Sequence, residues 1–190
     1  MARNLSGRLT YKDYVDLPND GKRYEIHDGE LWMTAAPGIS HQEVSRRLFR
    51  MLDRHVEERA LGAVWFAPVD VILADDAIVQ PDIVYVARER LPAVLERGIE
   101  GPPTLVIEIL SPSTTQIDRV RKRQLYARHG VPYYWIVDPD ARAVEAYVLG
   151  SGGYTLALRA TGDTPAGPPP FESLALVPDA LWPAALDRPS

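Results

Sequence analysis

The chain has 190 residues, 46% of them hydrophobic, a net charge of -5 and no cysteine. That is enough apolar material for one globular domain with its own core. It excludes disulfides and thiolate zinc sites, and the acidic balance excludes a generally basic coat for nucleic acid. The first residues, MARNLSGRLTYKDY, lack the apolar run of a signal peptide, and no stretch approaches the roughly 20 apolar residues of a membrane span, so a soluble cytoplasmic protein is expected.

Thr10 followed three positions later by Asp13 predicts a capped short helix that Pro18 stops. RYEIHDGELWMT then reads as two strands around Asp28-Gly29, a hairpin turn whose residues both accept positive φ, with Tyr24, Ile26, Leu31 and Met33 on its buried side. From about His41 to Arg59 a long helix is expected, capped by Ser40, with Val44, Leu48, Met51, Leu52 and His55 as its core face. Glu43, Arg47, Arg50 and Arg54 form a stripe beside that face. Glu43 is read first as an ion pair with Arg47 and second as an acid facing a site; His41 and His55 are read as structural.

Two strands, Ala63 to Ala67 and Val69 to Leu73, flank Pro68, and Asp75-Asp76 is a solvated turn. Pro81 leads into a strand from Asp82 to Val86, and Arg88 to Gly98 reads as a modest helix ending at glycine. Val144 to Leu149 and Tyr154 to Leu158 make a second hairpin. Ala160 to Pro170 is a loop, after which Leu181, Trp182 and Leu186 dock as a last short turn. No internal repeat is visible. One domain over 1–190 is expected, with a core at about 20–160 and a tail at 161–190, and the alternation of strands with helices predicts a mixed α/β sheet.

The most informative stretch is Thr104 to Asp138, TLVIEILSPSTTQIDRVRKRQLYARHGVPYYWIVD. A buried strand, Leu105 to Leu110, carries Glu108 in its middle. A loop with Ser111, Pro112 and Ser113 leads to a helix on which Asp118, Lys122, Tyr126 and His129 share one face, and the chain returns as the strand Tyr133 to Val137. Arg119, Arg121, Arg123 and Arg128 spread over the other faces, where they could meet a nucleic-acid backbone.

An acid inside an apolar strand is costly unless a partner or a metal holds it. Asp82 and Glu108 together are what a hard divalent cation such as magnesium needs, with the Ile109 carbonyl completing the protein's share. Lys122 on the next helix could polarise a water or neutralise charge on a phosphate. Plain structural readings stand beside each residue: an Asp118–Lys122 helix salt bridge, Tyr126 as core, Asp82 capping a turn. Glu108 resists such a reading most, since strand interiors of Val, Ile and Leu rarely hold an unpaired acid.

PDIVYV, then VIEILSPST, then Asp118, Lys122 and Tyr126 at four-residue steps, then GVPYYWIVDP occur in that order. This series resembles a large bacterial family, once labelled a domain of unknown function and now classed with restriction endonucleases, in the PD-(D/E)XK nuclease superfamily. The likeness takes in RYE…DGEL and the Pro37…His41 segment and reaches about Tyr154. It implies a restriction-endonuclease-like α/β fold, a mixed central β-sheet flanked by helices. Pro81-Asp82 would stand at the PD of the superfamily signature and Glu108 at its (D/E). Leu110 occupies the place where the superfamily usually has lysine; in this family the lysine comes from the following helix, here Lys122. Glu43 matches the first-helix glutamate that some members use.

The expectation is a Mg2+-dependent endonuclease acting on DNA, with Mn2+ able to substitute. Asp82, Glu108 and Lys122 would be catalytic, and Asp82, Glu108 and Ile109 metal-binding. Glu43, Asp118 and Tyr126 would support them, and a homodimer is plausible. The alternative on the same fold is a non-catalytic DNA- or partner-binding module of a defence or mobile-element system. A metal-free acid/base hydrolase using the two carboxyls ranks last, because Lys122 would lower both pKa values.

Overall fold

The computed structural model describes residues 7–34, 36–111 and 117–183. Leu186 and most of the loop expected after Ser111 lie outside them.

The first helix, α1 (Tyr11–Val15), is short and fixed by its cap: the Thr10 backbone N–H and hydroxyl both donate to Asp13 Oδ2, at 2.8 and 2.9 Å. Strands β1 (Arg23–His27) and β2 (Glu30–Thr34) form the expected hairpin, with Asp28 at φ 54° and Gly29 at φ 82°. These are the paired positive values that a tight two-residue turn demands. Its buried side differs from expectation. Ile26 is enclosed, but Leu31 is 41% and Met33 63% exposed, whereas Glu25 and His27 are buried. Packing decided this: β1 is covered on both sides, so Glu25 and His27 are enclosed along with Ile26, while the outer strand β2 leaves Leu31 and Met33 open.

The long helix α2 (Ile39–Glu58) starts two residues early, with Gly38 rather than Ser40 at its cap, and buries Val44, Leu48, Leu52, His55 and Val56. After it come β3 (Gly62–Phe66), β4 (Val71–Ala74), β5 (Ala77–Val79) and β6 (Ile83–Ala87). Gly62 is obligatory: at φ 151° it lies so close to β6 that a Cβ would sit 2.1 Å from the Val86 carbonyl oxygen.

The helix expected over Arg88 to Gly98 is a correction. Only Arg88–Ala93 winds, as a 3₁₀ segment, because Pro92 removes the donor an α-helix needs there. The chain then makes two short strands, β7 (Val94–Leu95) and β8 (Gly98–Glu100). Strand β9 (Leu105–Ile109) follows. Beyond the next loop a π-wound segment, Ile117–Lys122, runs into α3 (Arg123–Arg128), and β10 (Tyr133–Asp138), β11 (Ala143–Gly150) and β12 (Gly153–Thr161) complete the strands.

The fold is mixed α/β, as expected, but the strands divide into two six-stranded sheets instead of one. The order is β2-β1-β5-β4-β8-β7 in the first and β12-β11-β10-β9-β6-β3 in the second. β9 and β10 are parallel, as α3 between them requires, and their neighbours β6 and β11 are antiparallel to them. Strand pattern along the chain marks strands but not partners, which is why one sheet was expected.

One face of the second sheet packs on α2 and on Phe171, Leu174, Leu176, Leu181 and Trp182 near the C-terminal end. Its other face packs on α3 and on Val71, Val79 and Ile99 of the first sheet. Among the described residues no helix is long and apolar enough to cross a membrane.

Candidate active site

In the second sheet β6 and β9 pair with Ile83 opposite Ile107 and Val84 opposite Val106. That register, continued by one residue, sets Asp82 beside Glu108. Side chains alternate along a strand, so both acids fall on the side of Val84 and Val106, away from α2. The Ile109 N–H donates to Asp82 Oδ2 at 2.9 Å and ties the two strand ends together.

Lys122 arrives from the π-wound segment. Its Nζ lies 3.1 Å from Glu108 Oε1, 3.1 Å from Glu25 Oε1 and 3.8 Å from Asp118 Oδ1. The Tyr126 hydroxyl donates to the same Glu108 oxygen at 2.7 Å, and the Tyr134 hydroxyl anchors the segment by donating to the Asp118 carbonyl at 3.0 Å. The segment was expected as plain α-helix. Its wider winding still leaves Asp118 and Lys122 buried together.

Glu25 was missed. The Gln80 backbone N–H donates to its Oε1 and His27 Nε2 to its Oε2, both at 2.8 Å, so it is the far anchor of Lys122. The available signal was the RYE…DGEL match; strand alternation had put Glu25 on the solvent side.

These acids and the lysine set one another's charge. Burial alone would discharge Lys122, but the Glu108, Glu25 and Asp118 carboxylates hold its ammonium well above the usual lysine range. Burial would likewise raise Glu25, yet Lys122, His27 and the Gln80 N–H outweigh it and bring the carboxyl to about 2. Glu108 goes the other way. Burial pushes it up, the Asp118, Asp82 and Glu25 carboxylates add to that, and Lys122 offsets only part. Burial and the Glu108 charge keep the Tyr126 phenol protonated.

His41, read as structural, also stands at the site. Its Nε2 donates to Asp82 Oδ2 at 3.1 Å and to the Ile109 carbonyl at 3.0 Å. Burial opposes its charged form, but the bond to Asp82 prevails and its pKa is raised. Arg23 Nη1 approaches Asp82 Oδ1 to 3.8 Å. Glu43 is apart from the lysine cluster: it is gripped by Arg46 and Arg47 at 2.7–2.8 Å and lines a cleft that Asp82 and His41 also line. Its ion pair with Arg47 is the one the helical spacing implied.

The four arginines read as able to meet a nucleic-acid backbone each have a partner within the chain. Arg119 pairs with Asp138 and Glu145, and Arg121 with Glu30 while lying over Trp32. Arg123 donates to the Tyr154 carbonyl and Arg128 pairs with Asp28. Helical projection could not show these partners, which come from the hairpins on either side.

Among the described residues no three His, Asp or Glu side chains converge as a ready-made metal cluster. The chemistry of the donors nevertheless fits a divalent cation. Four carboxylates, Glu25, Asp82, Glu108 and Asp118, gather around two fixed cations, Lys122 and Arg23. Burial leads the upward push on Glu108, and the neighbouring carboxylates add to it. Asp82, Glu108 and the Ile109 carbonyl offer only oxygen, the donor that magnesium prefers.

Comparisons with known proteins bear on the fold and the family. A crystal structure described as a putative nuclease belonging to DUF820, from Anabaena variabilis ATCC 29413, superposes with a TM-score of 0.71 and 21% identity. The match covers 91% of this chain and 97% of that one, a likeness of fold. No curated protein matches the chain. The model of the Uma2 family, described as "Putative restriction endonuclease", matches residues 11–179. With nearly its whole described length inside that match, the chain belongs to the Uma2 family.

Proposed function

We infer that this chain is a Mg2+-dependent endonuclease that hydrolyses DNA phosphodiester bonds. The observation that carries the reading is Lys122 Nζ at 3.1 Å from both Glu25 and Glu108, in a buried cluster that brings Asp118 and Asp82 to the same place. Family membership supports it.

Asp82, Glu108 and the Ile109 carbonyl would hold the cation, with Mn2+ able to replace Mg2+. When bound, it supplies the charge that polarises a phosphate and lowers the pKa of water. The chain's own residues do the rest. Tyr126 fixes the Glu108 carboxylate by a hydrogen bond, and Glu25 holds Lys122 from behind so that its position does not depend on Glu108 alone. Lys122, held as an ammonium by the carboxylates around it, donates hydrogen bonds, neutralises charge on the phosphate and assists the attacking water. His41 and Arg23 steady Asp82, and Glu43 stays in its arginine clamp at the cleft wall.

The test is cleavage of supercoiled plasmid with magnesium. Nicking or linearisation is expected from the wild type and not from the Asp82→Ala, Glu108→Ala double variant; equal activity from both would refute the reading.

One observation favours a second reading, a non-catalytic DNA- or partner-binding module. The Lys122 cluster is satisfied by its own carboxylates and could serve as a structural device alone. Calorimetric titration with manganese separates the two, since binding that disappears in Asp82→Ala is expected only of a metal site.

A further inference from the structure

A cavity of about 550 Å³ opens beside Asp82 and His41, between the first turns of α2 and the end of β3. Its volume falls in the range that encloses a small organic group. One wall is apolar and aromatic. Phe66 is 56% and Ile39 74% exposed, and the Phe49 ring meets the Phe66 ring edge-on with centroids 4.8 Å apart. Phe66, Phe49 and Ile39 thus form an apolar ledge along a cavity that charged residues also line.

The location narrows the choice. Strand β3 is the outer strand of the second sheet, so Phe66 is carried on an unpaired edge. The same cavity is lined by Asp82, which ties it to the candidate active site, and by Arg23 and Arg46, which give it cations. Arg46 is half exposed; its Nε and Nη2 grip Glu43, and its Nη1 remains to donate outward. An aromatic ledge with guanidinium groups, next to a place for a phosphate, is complementary to a nucleotide. A base within a duplex shows its faces only to its neighbours, so a ring that stacks on a base needs that base unpaired.

We propose that this cavity receives one unpaired base of the substrate, stacked on Phe66, and that the substrate class is therefore single-stranded DNA rather than continuous duplex. The proposal rests on the nuclease reading for its substrate and deepens it. Phe66 supplies the stacking face, Phe49 backs it, and Ile39 closes the outer edge. Arg23 and Arg46 meet the phosphates that flank the base.

The experiment uses the full chain in EDTA, which removes cleavage from the measurement. The probe is a short single-stranded oligodeoxynucleotide carrying 2-aminopurine, followed by its own fluorescence and by anisotropy. Binding with quenching is expected for the wild type. Phe66→Ala should weaken it about tenfold and remove the quenching, while Phe66→Trp should retain both. The same oligonucleotide annealed to its complement should bind about tenfold more weakly than the single strand.

Unchanged affinity and quenching in Phe66→Ala would overturn the proposal, as would equal binding of the duplex or no binding of either form. A wild type that dimerises through this face, with Phe66→Ala monomeric in sedimentation, would also overturn it by assigning the face to a second copy. Manganese titration without DNA keeps the two readings apart: it reports on Asp82 and Glu108 and should be the same for Phe66→Ala and wild type. Its failure would strike the metal site and leave the stacking result standing.

Discussion

The two faces of the second sheet hold the same strands and do opposite things. Toward α2, the β9 residues Leu105, Ile107 and Ile109 meet Val44, Leu48 and Leu52 in an apolar layer. Toward α3, Val106 and Leu110 flank Glu108, and around it are Lys122, Tyr126 and Glu25. A one-residue step along β9 therefore separates a layer that stabilises by exclusion of water from one whose charges must be balanced individually. The apolar face explains why the chain folds; the charged face is retained at a cost that folding alone does not justify.

The sharpest test of that contrast is Lys122→Ala. Removing the ammonium that these buried acids share should cost roughly 3–5 kcal/mol in urea unfolding, the penalty of leaving ionised groups without a counter-charge. The loss should shrink markedly when Glu108→Gln is added; an undiminished loss would show that packing, not charge, is the cause. Next comes Leu48→Ala on the apolar face, expected to cost roughly 2–5 kcal/mol with manganese affinity unchanged in calorimetry. A loss of metal binding there would mean that the two faces are not independent.

Glu25→Gln should cost about 2 kcal/mol at neutral pH, the scale of a hydrogen bond to a charged group. Its pH dependence has a definite sign. The folded carboxyl, at about 2, lies below its ordinary 4.5. Its contribution is therefore complete above pH 4.5 and lost as pH falls toward 2. Unfolding curves across that window should be less steep in pH for Glu25→Gln than for the wild type.

The smallest effect has the opposite direction. Glu108 is held with a raised pKa, so Glu108→Gln should raise stability on the order of 1 kcal/mol, read as a higher melting temperature, while manganese binding is lost. A fall in stability would show that the carboxylate contributes to the fold.

Much of the charged face is legible in the sequence. Glu108 announced itself as an acid in an apolar strand, and helical spacing placed Lys122 and Tyr126 on a common side, where they do reach it. Pairing of β6 with β9 was hinted at only by the motif order. What could not be read depends on chain segments distant from the motif. Glu25 lies 97 positions from Lys122, and alternation within its hairpin says which residues share a side but not which side is covered. His41 looked like one more residue of an amphipathic helix, because its contacts to Asp82 and Ile109 are set by where α2 begins. Arg119, Arg121, Arg123 and Arg128 looked available because most of their partners belong to the flanking hairpins.

The winding of Ile117–Lys122 has one more implication. A π turn spends an additional residue for each revolution, so the angular setting of the lysine is written in a count of backbone units and not only in its identity. Regular α winding over the same six residues, with no change in length, would turn Nζ from its present setting relative to Asp118, with every side chain of the cluster still encoded. In this fold a change of winding could undo the charge cluster as completely as a substitution.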